Sequence, residues 1–149
     1  MAVQTSYSEN MRAGVAGQLA ESIPATLISR TVETSGGLAF GVPVAQGTAD
    51  RGVRLFTTGD TAADFVGITV RDRSVNAGTD RYALYDDARL MTKGSIWVTA
   101  SVAVAAGDPV YIVPATAAFT NVATSNVLVA GARWDTSTST TGQIAIIRI

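Results

Sequence analysis

Four kinds of short stretch hold the side chains that could do chemistry. In "AAGDPVY" (105–111), Asp108 stands between Gly107 and Pro109. A carboxylate can act as a general base when a neighbour tunes its proton affinity. The chain has no His and no Cys, and no Lys stands near Asp108. A turn is therefore the preferred reading: Gly107 permits positive φ, the Asp carboxylate bonds nearby backbone, and Pro109 fixes φ on entry to the next strand. "GDTAAD" (59–64) and "YDDA" (85–88) each place two carboxylates in loop-like text. Calcium needs six to eight oxygens, and EF-hand spacing is absent. Paired carboxylates also serve glycoside hydrolysis, but the required separation is spatial and the sequence marks no pair. Solubility is the plainer reading of both.

"RDRS" (71–74) and the nearby Asp80–Arg81 mix signs over a short span. A nucleic-acid reader would show basic excess with interleaved aromatics, whereas here the aspartates neutralise the arginines. Solvated ion pairs or protein contacts are the readings that remain, with Arg71 and Arg73 as candidate contacts. Trp97 and Trp134 could stack on sugars, but both stand in strand-like text beside Val, Ile or Ala, where an indole serves a core or an interface. Without Cys or His there is no disulfide, Cys-based zinc site, thiol nucleophile or imidazole acid–base pair. Phosphate loop, nucleophile elbow and dinucleotide fingerprint are also missing. The expectation is a protein without catalytic residue, metal or cofactor.

The elements that must carry these residues are legible from composition. Ala, Thr, Val and Gly supply 24, 19, 17 and 14 of the 149 residues, and charged residues only 15%. Branching at Cβ favours extended backbone, and Gly supplies tight turns. Ten of the eleven basic residues are Arg, whose planar, weakly hydrated fork suits protein contacts. From residue 25 onward, strand-like runs alternate with Gly, Asp and Ser turns: 25–32, 38–47, 52–58, 64–73, 88–93, 95–100, 108–114, 126–134 and 142–149. Pro43 inside the second run predicts an edge strand or a bulge. "TSTSTTG" (136–142) reads as a flexible hairpin loop. Nine or ten short strands at this spacing predict an all-β, single-domain β-barrel or jelly-roll-like sandwich over 25–149. Residues 1–24 are weakly patterned. Gly14 and Gly17 argue against a helix there, so an extended N-terminal arm is expected, with Tyr7 and Arg12 as candidate contacts. That segment lacks the pattern of a signal peptide, which predicts a chain made and used without secretion.

Between Gly94 and Ala132 the one charged residue is Asp108. Pro109, Pro114, Asn121 and Asn126 break that run, and it is too polar for a lipid-facing helix. With a net charge of −1, no long-range field draws the chain to nucleic acid or an anionic membrane. The neutral stretch is therefore expected to form core strands and one protein contact.

A series of motifs then carries a resemblance: "NMRAGVAGQLAES", "LAFGVPVAQGT", "FVGITVRDRS", "KGSIWV", "VAAGDPVYIV", "AFTNVATSN", "VAGARWDTS" and "GQIAIIRI", in order over about residues 10–149. In that order and spacing they resemble the structural cement, or capsid decoration, proteins of tailed bacteriophages. The resemblance implies a β-barrel or jelly-roll-like domain on the outside of the mature head. There it would bridge neighbouring major capsid subunits against packed-DNA pressure and assemble with itself as a homodimer or homotrimer. Arg71, Arg73, Trp97 and Trp134 join Tyr7 and Arg12 as candidate capsid or oligomer contacts. The alternatives are a carbohydrate- or receptor-binding β-sandwich on a virion, or a small hydrolase using paired Asp.

Overall fold

A computed structural model of the chain describes residues 13–21, 24–75 and 79–149. Among them are twelve β-strands and no helix: β1 (Thr26–Val32), β2 (Leu38–Ala39), β3 (Pro43–Gln46), β4 (Gly52–Leu55), β5 (Phe65–Thr69), β6 (Arg81–Tyr82), β7 (Asp87–Lys93), β8 (Ser95–Thr99), β9 (Pro109–Val113), β10 (Ala118–Thr120), β11 (Val127–Trp134) and β12 (Ile144–Arg148). The all-β, single-domain architecture follows.

Strands β1, β4, β3, β5 and β7 close into a barrel in that order, with β7 returning to β1. All its pairings are antiparallel except β1–β4. A second, five-stranded sheet runs β10-β9-β11-β12-β8, and β2 pairs with β6 as a small two-stranded sheet. The outer strands of the five-stranded sheet approach each other again through a parallel bridge between Ala100 and Phe119.

Alternation along the shared strands builds two apolar clusters. Val44 and Leu90 join Val32, Leu38, Phe40, Val53, Tyr82 and Ala88 in one. Their chain neighbours Ala45 and Met91 point the other way, as successive strand residues must. They join Ile68, Ile96, Val98, Ile112, Phe119, Trp134 and Ile147 in the other. The same strands thus serve both cores.

The uncharged stretch supplies β8, β9, β10 and most of β11. It answers to the interior: Ile96, Val98, Val110, Ile112 and Ala132 are fully buried, while Val122 and Leu128 remain 46% and 44% exposed.

Gly94 is the joint between the two layers. β7 ends in the barrel at Lys93 and β8 begins in the five-stranded sheet at Ser95. Gly94 takes φ +128°, and a Cβ there would come within 2.9 Å of the Ala25 Cβ. Its N–H donates to the Ile149 carbonyl at 3.1 Å, and the Ile149 N–H returns to the Gly94 carbonyl at 3.0 Å.

Residues 17–20 lie along the free edge of β8. The Gly17 and Ala20 N–H groups donate to the Trp97 and Ser95 carbonyls at 2.8 and 2.9 Å, and the Trp97 N–H donates to Gln18 at 2.9 Å. An edge strand left with unpaired backbone groups invites association; here the chain's own N-terminal segment covers it.

The second and last strand-like stretches are refined by the structure. The run 38–47 is split, because Gly41 turns with φ +73° between β2 and β3. Of the edge strand or bulge expected at Pro43, it is the irregular register that is found: β3 lies between β4 and β5, and Pro43 is its first residue, beside a register shift at Val44/Ala45. The loop 136–142 does link β11 to β12, yet its hydroxyls are engaged. Thr136, Ser137 and Thr138 accept from the N–H groups of Ile146, Ala106 and Val104 at 2.9, 3.0 and 3.1 Å.

Candidate functional site

Strand β5 ends at Thr69, and the chain leaves it as "VRDRS" beside β7. The Val70 N–H donates to the Arg89 carbonyl at 2.8 Å, and the Arg71 N–H donates to the Gly17 carbonyl at 2.7 Å. Three arginines thereby converge. Arg71, Arg73 and Arg89 rim a hollow of about 280 Å³ lined also by Val15, Gln18, Leu19 and Val70. The Arg71 guanidinium stands 5.2 Å from the Phe40 ring centroid, and its Nη2 donates to Asp80 at 2.8 Å. Arg89 lies 3.9 Å from Asp72. Arg73 is exposed and has no ion-pair or hydrogen-bond partner among the described residues.

An acidic hollow adjoins it, lined by Asp72, Ser74, Val75, Tyr82, Asp86 and Asp87. Asp72 Oδ1 accepts from the Ser74 N–H at 2.8 Å and the Ser74 hydroxyl at 2.7 Å. These bonds, the backbone one first, hold the carboxyl below the usual range. Buried Tyr82 floors this region. Its hydroxyl donates to the Val70 carbonyl at 2.6 Å, and its ring meets Phe40 edge-on at 5.2 Å. Burial pushes its pKa up. On the turn before β7, Tyr85 is 76% exposed with φ 68°, a conformation that bulky L-residues rarely adopt.

Asp108, Asp60 and Asp64 each accept from backbone N–H groups. Asp108 Oδ2 accepts from Asn121 Nδ2 at 2.7 Å and the Ala105 N–H at 3.0 Å. The Asn121 bond, then the Ala105 bond, lowers its pKa, so the turn reading describes its geometry. Asp60 is gripped by Arg54 through Nη1 at 2.7 Å and by the Thr57 N–H at 2.7 Å. The Arg54 bond leads in lowering its pKa. Asp64 accepts from the Thr61 N–H and hydroxyl, both at 2.8 Å. The described residues form no group of three or more acids able to hold a metal ion.

The sequence reading did not single out Glu33. Its carboxylate accepts from the Thr48 and Ala49 N–H groups at 2.6 and 2.9 Å, tying β1 to the β3–β4 loop and lowering its pKa, through Ala49 first. Gly47 and Gly52 leave the space it fills, since a Cβ on either would strike it. Those two glycines around a loop, with no partner marked for them, were the only signal in sequence.

Of the six expected contact residues, Arg71 and Arg73 share one surface. Trp134 is fully buried and Trp97 is 8% exposed, so neither offers a ring to a sugar in this chain. Trp97 is roofed by Gly14, where a Cβ would come within 2.5 Å of its Cδ1. Tyr7 and Arg12 lie outside the described residues.

Comparison with known proteins adds the following. The sequence model of the family "Structural cement protein (E217 gp24/Pam3 gp6)" matches residues 3–149. No curated protein matches. Among solved structures, a chain of the capsid of Myoviridae Phage XM1 aligns with a TM-score of 0.72 at 19% identity, covering 99% of this chain and 97% of that one. At that identity the likeness shows the fold. The head fiber gp8.5 N base of bacteriophage phi29 aligns over 83% of this chain and 94% of that one, at 12% identity and a TM-score of 0.47. The match of the family over nearly the whole chain decides the assignment: the chain belongs to the phage structural cement protein family and is a structural protein of the capsid.

Proposed function

We propose that this protein decorates the outer surface of the mature phage head, bridges neighbouring major capsid subunits and stabilises the shell against the pressure of packed DNA. The observation that carries the reading is the family match over residues 3–149. The structure is in keeping with it. The carboxylates above serve turns and loops, and Val122 and Leu128 add exposed apolar area to an almost uncharged sheet. A protein that joins other proteins needs area, about 800 Å² per partner for a stable contact.

The mechanism is linkage. A site composed of two capsid subunits exists only once they reach their mature arrangement. A ligand that binds that arrangement and no other stabilises it by mass action. Many copies multiply a small energy each. Self-association as a homodimer or homotrimer would let one unit span several subunits. The protein would be made in the host cytoplasm and reside on the virion.

Sedimentation with purified shells tests the reading. Saturable binding to expanded, mature-like shells, at a fixed ratio to the major capsid protein and absent from unexpanded shells, is the expected result. Equal binding to both, or to neither, overturns it.

A further inference from the structure

The Arg-rimmed hollow adjoins the acidic hollow that Asp86 and Asp87 line, at the end of the Tyr85 turn, and each offers what the other lacks. The hollow has an apolar floor and a cationic rim including Arg73, which is unpaired among the described residues. The turn carries an aromatic ring that is 76% exposed, directly followed by Asp86 and Asp87. Asp87 is exposed and also without a hydrogen-bond or ion-pair partner among the described residues. On β7, Asp87 and Arg89 alternate with buried Ala88 and Leu90, so both point outward on the same side. The two hollows meet where Asp72 faces Arg89.

Resting on the reading that the chain self-associates, we infer that this face is the contact between copies, with the Tyr85–Asp87 turn of one copy seated in the Arg71–Arg73–Arg89 hollow of another. The ring would lie beneath guanidinium groups, as Phe40 already lies beneath Arg71 at 5.2 Å, an arrangement that attracts through the ring quadrupole. Asp87 would meet Arg73. Rim ion pairs add little affinity but fix register, and the buried ring supplies the anchor. Because turn and hollow adjoin on each copy, two copies set face to face make the contact twice, as a two-fold interface requires. The backbone supports the assignment. A Tyr at φ 68° is strained, its N–H donates to the Val32 carbonyl, and no hydrogen bond, ion pair or ring contact among the described residues engages its side chain.

Sedimentation equilibrium over a concentration series tests it on the full chain. Arg73→Glu and Asp87→Arg should each weaken self-association about tenfold or more, the equivalent of 1.4 kcal/mol. The double variant, which restores opposite charges across the contact, should recover most of it. Tyr85→Gly should weaken association while holding or raising Tm, because Gly accepts positive φ freely, which separates a contact role from a folding role. Wild-type protein that stays monomeric throughout overturns the self-association reading itself. Wild-type oligomers that all these variants leave unchanged overturn only the face assigned here.

Discussion

Glu33 shows how much one side chain can organise without any catalytic role. Its two backbone acceptor bonds hold the β3–β4 loop against β1, and Gly52 is the residue that lets it in. Gly52→Ala forces the carboxylate off both N–H groups or shifts the strand, and overpacking of this kind costs about 1–3 kcal/mol. In a Glu33→Ala background the same substitution should cost far less. Urea denaturation of the two single variants and the double closes the cycle; equal costs in both backgrounds would mean that the two residues are not coupled. The sequence carried the two glycines but not their reason, because the partner stands 19 positions upstream of Gly52, just past the end of β1. Trp97 illustrates the same limit. Its strand-like surroundings showed an indole in a sheet, but its roof comes from Gly14, far away along the chain.

At the scale of elements, period-two alternation was enough to locate the long strands, because each buries one face and its pattern is local. It missed β6 and β10, of two and three residues, which are too short to show a period and exist because a neighbouring strand pairs with them. It fused β2 with β3 because the turn at Gly41 depends on the N-terminal segment: a Cβ at Gly41 would meet the Gly17 nitrogen at 2.6 Å. That segment therefore has two parts with different expected effects. Removing residues 2–12 sets the reference, with residues 13–20 still in place. Removing residues 2–20 uncovers the edge of β8 and the Trp97 indole. Losing the burial of one large apolar side chain costs about 2 kcal/mol, which at this size lowers Tm by about 4–8 °C. Scanning calorimetry with tryptophan emission checks both, since an uncovered indole shifts its emission to longer wavelength. Equal Tm values for the two truncations would show that residues 13–20 contribute nothing to the fold. Shell binding lost on removal of 2–12 alone would assign Tyr7 and Arg12 their expected contact role.

For the whole molecule, the charges set a pH window. The carboxyls of Glu33, Asp60, Asp64, Asp72 and Asp108 are all lowered by hydrogen bonds made in the folded state. A depressed folded value means that the unfolded chain binds protons first, so the stability these groups supply is present above about pH 4 and is lost as pH falls below it. Tyr82 acts in the opposite sense. Burial raises its pKa, so its contribution holds below about pH 10 and fades as pH rises further. With no His in the chain, no side chain with an ordinary value near 6.5 lies between these limbs. Urea midpoints should be flat across neutral pH and fall at both ends; a step near pH 6 would contradict this account. Fold class was legible at this scale because Val, Thr and Gly enrichment is a property of the total. The face proposed to join copies was not, since Arg73 and Asp87 come from separate loops and strands that meet only in the folded barrel.

The joint at Gly94 has a mechanical consequence. Under the proposed bridging of capsid subunits, tension between one held by the barrel and another held by the five-stranded sheet has a direct covalent path, β7 through Gly94 into β8. On either side that backbone is laced lengthwise to a neighbour, β7 to β1 and β8 to β12. Force along the strand loads those ladders in shear, so the bonds share it and fail together, where a perpendicular pull would unzip them singly. The reciprocal bonds between Gly94 and Ile149 rivet the end of the chain across the same joint. Under the proposed bridging role, a pull along β7 and β8 is the one these ladders resist best.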